Sequence, residues 1–178
     1  MFDAEMDRLV GLLSTRVFGK YRGVVKSNAD DEHLGRLEVQ VPRVFGTEKV
    51  WAMPCTPFAA KNGGGFFAMP DVDMPVWIEF EAGDKDYPIW SGCFWPANAL
   101  SSSDAVPGVK FWKTKKFSIT IDDDAGELTI ESANGGKFTL TQTEVTVEST
   151  SITQKSGAKK LALTQASFDV FDGAFTVV

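Results

Sequence analysis

Apolar and polar residues alternate along much of this chain, and the period of that alternation predicts strands. In Gly35–Val41 and Val76–Phe80 every second residue is apolar, which is typical of a strand that buries one face. Further apolar runs at 21–26, 50–56 and 88–95 are separated by turn residues. Five or six short strands in about 75 residues, with no long helix between them, predict a small closed β-barrel.

A helical period occurs only near the start of the chain. Apolar residues recur there at spacings of three and four (Met6, Leu9, Val10 and Leu13), so a helix is predicted over Asp3–Ser14. Acidic residues cluster at its N-terminal end, where their negative charges interact favourably with the helix dipole. A helix of this length needs a surface to dock on, and a frayed terminus is the alternative.

Residues 117–178 consist of short alternating segments joined by tight polar turns. Equivalent apolar residues follow at spacings of 10, 7, 7, 9, 7 and 7, which is a quasi-repeat of strand plus turn. They are Leu128, Phe138, Val145, Ile152, Leu161, Phe168 and Phe175. A short strand with one apolar face cannot close a core alone, and a single-chain solenoid usually has longer rungs. Three chains that pool their inward faces would form a closed prism without free edges, so we expect a trimer.

The trimer interface is expected at the inward apolar residues of this repeat. They are Phe138, Leu140, Val145, Val147, Leu161, Leu163, Phe168 and Val170. Eight strands stacked about 4.8 Å apart predict a prism roughly 35–40 Å long. A Ser-rich stretch with Pro107-Gly108 precedes the repeat. The predicted organisation is therefore a helix at 1–17, a barrel at 18–96, a linker at 97–116 and a prism at 117–178.

Charge and cysteine content narrow the function classes. The 178 residues carry a net charge of -6, of which -5 lies in residues 117–178, and this acidity argues against sequence-independent binding of nucleic acid. Cys55 and Cys93 form no CxxC motif, so we expect two buried thiols in a reducing compartment. Neither a signal-peptide pattern nor an apolar run near 18 residues is present, so we expect no bilayer-spanning helix.

Four groups of residues could carry chemistry, and each also has a simpler structural interpretation. Asp122–Asp124 could bind a divalent cation, and Asp84 and Asp86 could act as paired carboxylates, but both sets suit solvated turns. His33 is the sole histidine, so Cys55 has one candidate base and no metal-binding partner is evident. We therefore expect no catalytic constellation, no metal site and no cofactor.

Three segments, in this order, carry a resemblance to a known family. They are GRLEVQVPRVFG (Gly35–Gly46), WAMPCTPFA (Trp51–Ala59) and GGGFFAMPDVDMPVWIEFEAGDKDYPIWSG (Gly63–Gly92). Together they resemble the OB-fold domain of baseplate assembly protein V. This is the central spike family of contractile phage tails, and it is related to the VgrG spikes of type VI secretion. The chain departs from the family at Asp73-Met74-Pro75, where Gly-Asp is common before the strand, and this affects one turn.

The resemblance implies an all-β fold in which an OB-fold barrel precedes a triple-stranded β-helix or β-prism built by three chains. It implies a structural spike, not an enzyme, that plugs the tail tube and helps pierce the target envelope. Implied partners are two further copies and the tail hub and tube proteins, with only transient contact to the target membrane. The implied location is the baseplate of a virion or injection particle assembled in the bacterial cytoplasm.

The tip of the spike is expected to be a separate protein. Some members of the family end in an H-x-H iron-binding tip, which a chain with a single histidine, His33, cannot build. Phe175–Val178 has the pattern of a strand, and an exposed apolar end of a prism would be prone to association. The resemblance therefore implies that a PAAR-like tip protein caps this end.

Nucleic-acid binding is the alternative, because OB-folds often bind single strands through aromatic residues on a basic groove. The barrel segment supplies aromatic residues, namely Phe66, Phe67, Trp77, Trp90 and Trp95. A basic groove is missing from its composition, and the one local basic cluster lies at Lys110–Lys116. We therefore expect the aromatic residues to pack the barrel and its protein contacts.

Overall fold

The computed structural model describes residues 2–171 and 173–178, without the side chains of residues 2–4, 12 and 13. It divides the chain into two units, Met1–Ala99 and Leu100–Val178. No helix in the described part of the chain is long and apolar enough to cross a lipid bilayer.

The described part of the N-terminal unit contains two α-helices, a short 3-10 helix at Glu81–Gly83 and five strands. The α-helices and strands are α1 (Phe2–Thr15), β1 (Tyr21–Ser27), β2 (Leu37–Gln40), α2 (Pro42–Phe45), β3 (Lys49–Pro54), β4 (Pro75–Phe80) and β5 (Pro88–Cys93). The strands close into a barrel in the order β1-β2-β3-β5-β4. Pairing is antiparallel except between β3 and β5. The predicted all-β class, the N-terminal helix and the closed barrel are confirmed.

The barrel core follows from the period-two pattern. Leu37 and Val39 on β2, and Val76 and Ile78 on β4, are fully buried, while the residues between them are partly exposed. Val25 on β1 completes this centre. Burying one such side chain contributes about 1.5–3 kcal/mol, so a few inward aliphatic residues supply much of the favourable energy of this small fold.

The segment after α1 is tied to the turn between β4 and β5. The backbone N–H of Val17 donates to the carbonyl of Gly83 at 2.9 Å, and Arg16 pairs with Asp84 at 2.9 Å. Gly83 has φ +76°, and a Cβ placed there would lie 2.8 Å from the Phe18 ring. A glycine is therefore needed here both for the backbone conformation and for the approach of Phe18.

Helix α1 presents an exposed apolar side. Met6, Leu9 and Val10 are each more than half exposed, whereas the predicted contribution of the Leu13 side chain lies outside the described residues. A short helix needs a surface to dock on. Met6, Leu9 and Val10 are not buried within the unit, so they do not dock the helix there.

The C-terminal unit is built from two antiparallel sheets. The first contains β6 (Val109–Lys113), β7 (Phe117–Asp122), β8 (Glu127–Ser132), β9 (Lys137–Leu140) and β10 (Val145–Glu148). The second contains β11 (Ser151–Ser156), β12 (Lys159–Thr164), β13 (Phe168–Val170) and β14 (Phe175–Val177). Each of the eight segments of the sequence repeat contains one strand.

One strand lies in the stretch expected to be a linker. Residues 97–116 contain β6, which pairs with β7 along its whole length. Val109 and Phe111 share one face of β6 and Lys110 shares the other with Trp112. Lys110 stands on the same face as Trp112, where the period-two pattern would have an apolar residue. The alternation is therefore not evident in the sequence.

The expectation of two buried thiols is wrong. Cys55 and Cys93 are both free and exposed. Cys55 follows the last residue of β3, and Cys93 is the last residue of β5. Both thiols therefore lie where strands leave the barrel and the inward alternation no longer applies.

Candidate assembly surfaces

The first C-terminal sheet has one apolar face that extends across all five strands. We call it the apolar sheet face. Its members are Trp112, Phe117, Ile119, Ile121, Leu128, Ile130, Phe138, Leu140, Val145 and Val147. They form cross-strand rows, of which one runs from Trp112 through Ile119, Ile130 and Phe138 to Val147. Neighbours in such rows are close enough to pack on each other.

On β7 to β10 the opposite face of the same sheet is polar, whereas β6 places Val109 and Phe111 on it. Thr120, Thr129, Thr139 and Thr146 form a row of threonines across β7 to β10. A second row alternates in charge, with Glu131, Lys137 and Glu148 on neighbouring strands. Opposite charges placed in register favour this face in water, so the sheet has one face suited to solvent and one suited to a partner.

The apolar sheet face is not covered by the rest of its unit. Phe117 and Val145 are each 60% exposed, and Val147 is 49% exposed. Among the described residues of this unit, Ala162 is the one apolar side chain that is buried. Monomeric proteins rarely expose contiguous apolar patches larger than roughly a few hundred Å², so this face has the character of an interface.

The second sheet repeats the arrangement. Leu163 lies opposite Phe168, and Leu161 lies opposite Val170, so these four predicted interface residues share one face. Phe175 lies opposite Val170 on the next strand and is 58% exposed. β14 pairs only with β13 and forms an edge of the sheet.

The structure therefore places the eight predicted interface residues on one face of each sheet. The same face of the first sheet also carries apolar residues of β6 to β8 that were not in the predicted set, among them Trp112, Ile119, Ile121 and Ile130. The sequence pattern could have identified Ile119, Ile121 and Ile130, because β7 and β8 alternate in the same way as the later strands.

In the barrel, the loop between β1 and β2 is held by one buried carboxylate. Asp30 accepts hydrogen bonds from Arg36 Nε (3.0 Å) and Nη2 (2.7 Å) and from the backbone N–H groups of Glu32, Leu34 and Arg36. The side chain of Asp30 is 4% exposed. The guanidinium of Arg36 holds the pKa of Asp30 well below its usual range, and the backbone donors act in the same direction. Arg36 also lies over the Trp51 ring, so the group fixes the loop.

The long loop between β3 and β4 builds an apolar cavity of about 500 Å³. Its mouth carries exposed phenylalanines, with Phe58 61% and Phe67 76% exposed. Trp90 lies in its wall and donates from Nε1 to the carbonyl of Gly35 at 3.1 Å. The cavity is apolar and open, which suits a hydrophobic contact with another protein.

The candidate catalytic groups serve mainly as turn and ion-pair residues. Asp84 accepts the backbone N–H of Asp86, and Asp122 accepts those of Asp124 and Ala125. Asp123 pairs with Lys110. Among the described residues, no group of three or more His, Cys, Asp or Glu side chains could hold a metal ion.

His33 and Cys55 both line the cavity formed by the long loop. In the described part of the chain, no hydrogen bond joins the imidazole to the thiol, and the arrangement therefore contains no positioned nucleophile and base.

Residues 21–95 match the family model described as the type VI secretion system/phage-baseplate injector OB domain. The match begins at the first residue of β1 and ends two residues beyond β5, so it covers the whole barrel. No curated protein sequence matches the chain.

Proposed function

We propose that this chain is a trimeric central spike protein, since its barrel, residues 21–95, belongs to the type VI secretion system/phage-baseplate injector OB domain family. Membership of that family gives the chain a structural role associated with the baseplate of a phage or injection particle. We further propose that the chain forms a spike that plugs the tail tube and points away from it. This spike would be driven through the target envelope when the sheath contracts.

The observation that carries the proposal is the uncovered apolar sheet face. A single chain leaves Phe117, Val145 and Val147 in water, and each such side chain gains about 1.5–3 kcal/mol when fully buried. Three copies that bring these faces together around an axis bury all three sets, while their threonine-bearing faces point to solvent. This closed arrangement also satisfies the symmetry rule that oligomers of identical chains close on themselves.

A spike of this kind acts by stiffness and not by catalysis. Strands contributed by three chains cannot unfold one chain at a time, which favours a high kinetic barrier to unfolding. Nine strands at about 4.8 Å spacing would extend roughly 40 Å if the two sheets stack along the axis. The proposed partners at the barrel end are the tail hub and tube proteins, in a particle assembled in the bacterial cytoplasm.

A PAAR-like tip protein is the proposed partner at the opposite end. Supporting it, β14 is an edge strand whose Phe175 and Val177 are more than half exposed. Unpaired backbone groups beside exposed apolar side chains invite an added layer of protein. Contact with the target membrane is proposed to be transient.

The test compares two substitutions on neighbouring residues of β10. Val145 lies on the apolar sheet face and is 60% exposed in the single chain, so Val145→Asp should leave the chain folded yet place three carboxylates at the proposed axis. Thr146→Asp adds the same charge on the opposite face. We expect Val145→Asp to run as a monomer in size-exclusion chromatography and Thr146→Asp to retain the wild-type size. A Val145→Asp protein that remains trimeric contradicts the proposed facing.

A further inference from the structure

A second surface of the barrel has a different chemistry from the apolar faces. On the outside of the β1–β4 pair lies a groove of about 580 Å³, lined by Phe18, Lys20, Arg22, Pro42, Arg43 and Trp77. We call it the Arg22 groove. It is formed wholly within the N-terminal unit and contains three cationic side chains in a protein whose net charge is -6.

Arg22 is held in place by two aromatic rings. Its position in β1 lies opposite Trp77 of β4, on the outer side of the sheet. The guanidinium carbon is 5.0 Å from the Trp77 ring centroid and 4.6 Å from that of Phe94, and the two rings are themselves 4.6 Å apart. Such stacking fixes the guanidinium plane while its N–H groups remain able to donate at the edge.

The guanidinium charges of the groove are not neutralised by the chain itself. Glu79 is engaged by Lys20, with 2.8 Å between Oε1 and Nζ, and this cation lowers the pKa of Glu79. In the described part of the chain, neither Arg22 nor Arg43 forms an ion pair with a carboxylate. Two guanidinium groups that border one groove therefore retain their capacity for anionic oxygens.

We propose that the Arg22 groove binds an acidic segment of a partner protein, through carboxylates that accept hydrogen bonds from Arg22 and Arg43. Guanidinium groups match carboxylates in a two-point geometry. A preoriented Arg22 reduces the conformational entropy that binding must overcome. The groove itself lies wholly within the barrel unit, whereas the choice of a protein other than this chain as the partner rests on the proposed trimer.

The aromatic residues of the groove favour a protein partner over a nucleic acid. Single strands bind OB-folds by stacking bases on exposed ring faces. Here the faces of Trp77 and Phe94 already carry the Arg22 guanidinium. Tyr21 also borders the groove, and its ring packs edge-on against Phe80, with ring centroids 5.6 Å apart. Trp77 and Phe94 therefore orient a cation and offer little stacking surface for bases, while Phe18, which is 61% exposed, keeps an open ring in the groove.

The source of the acidic segment is taken to be a protein other than this chain. The copies are proposed to meet through the apolar sheet faces of the C-terminal unit, and the Arg22 groove is a charged surface of a separate unit. Groove variants should therefore bind less acidic ligand without any change in the mass of the assembly.

The experiment measures binding of a fluorescein-labelled octaglutamate peptide to the full-length protein by fluorescence anisotropy, at low and at physiological ionic strength. We expect Arg22→Gln to weaken binding about tenfold or more, because a charge-assisted pair is lost. Arg22→Lys should recover only part of this loss, since a lysine keeps the charge without the planar stack. Arg43→Gln removes the second cation without touching the aromatic rings and should also weaken binding.

The matched control is Lys61→Gln, which removes one positive charge from the exposed β3–β4 loop and should leave octaglutamate binding within about twofold of wild type. The proposal is overturned if octaglutamate does not bind, or if Lys61→Gln weakens it as much as Arg22→Gln. It is also overturned if an oligothymidylate binds more tightly than the peptide at the same site, or if Arg22→Gln changes the mass of the assembly.

Discussion

Leu163 of β12 lies directly opposite Phe168 of β13, and both side chains project from the same face of the second C-terminal sheet. Leu163 is nonetheless 48% exposed. Two large apolar residues thus lie side by side in register, with Leu163 about half exposed and Phe168 only partly buried. The pairing defines one apolar face of the sheet. The neighbouring chains of the proposed trimer would bury that face.

This relationship predicts the effect of Phe168→Asp. Three carboxylates would meet near the proposed axis, where their charges are costly to desolvate, so we expect the variant to lose the trimer in sedimentation velocity experiments. Ser151→Asp adds the same charge on the opposite face of the sheet, across from Thr164, and should sediment as wild type does. Loss of the trimer in both variants would show that added charge, and not its position, disrupts the assembly.

The barrel core predicts a large effect of truncating Leu37. This side chain is fully buried at the centre of the barrel, and we expect Leu37→Ala to lower the free energy of unfolding by about 2–5 kcal/mol. The measurement is chemical denaturation followed by tryptophan fluorescence. Glu38→Ala removes an exposed pair with Lys49 on the adjacent position and should cost no more than about 1 kcal/mol. Equal losses would contradict the assignment of the two faces of β2.

The ionised form of Asp30 predicts a dependence of stability on pH. The pKa of this carboxyl is lower in the folded state than in the unfolded chain. Its contribution is therefore fully present above the unfolded value of about 3.9 and is lost as the pH falls toward the folded value. We expect wild type to melt at a higher temperature than Asp30→Asn at neutral pH, and the difference to shrink as the pH is lowered below about 4.

Asp31→Asn is the control for this experiment, because the structure gives Asp31 an exposed position next to Asp30. Its melting temperature should follow that of wild type at each pH. An Asp30→Asn protein that matches wild type at neutral pH would show that the Arg36 pair does not stabilise the barrel.

The turn at Gly83 predicts that an added methyl group is harmful for two separable reasons. Gly83→Ala requires φ +76° of a residue with a Cβ and places that atom against Phe18, so we expect a loss of about 1–3 kcal/mol in the free energy of unfolding. Gly19→Ala meets a similar φ of +88° with open space around the Cβ. A smaller loss for Gly19→Ala would isolate the contribution of the Phe18 contact, and equal losses would exclude it.

Sequence patterns were sufficient for features that depend on a local period. The alternation in Val76–Phe80 and in the C-terminal repeats predicted both the strands and their apolar faces. Strand β6 was not predicted, because Lys110 and Lys113 interrupt its apolar pattern. The exposure of Cys55 and Cys93 was predicted wrongly because both residues lie at or beyond strand ends, where alternation carries no information about burial.

Features that depend on strand register could not be predicted from the sequence. Arg22 and Trp77 are 55 positions apart in the chain, and only the β1–β4 ladder brings them opposite each other. Phe18 and Gly83 are likewise distant in the sequence and come together only through the packing of their two segments. The link between Asp30 and Arg36 is local, but an acidic loop with one arginine resembles many solvated loops and carries no distinctive signal.

The central claim, that three chains share the apolar sheet face, is tested most directly by the mass of the wild-type protein in solution. Multi-angle light scattering over a range of concentrations should give a value near three times 19.4 kDa. Because Val145 and Phe117 are left exposed by a single chain, we expect this mass to persist on dilution. A stable species of 19.4 kDa at all concentrations would contradict the account.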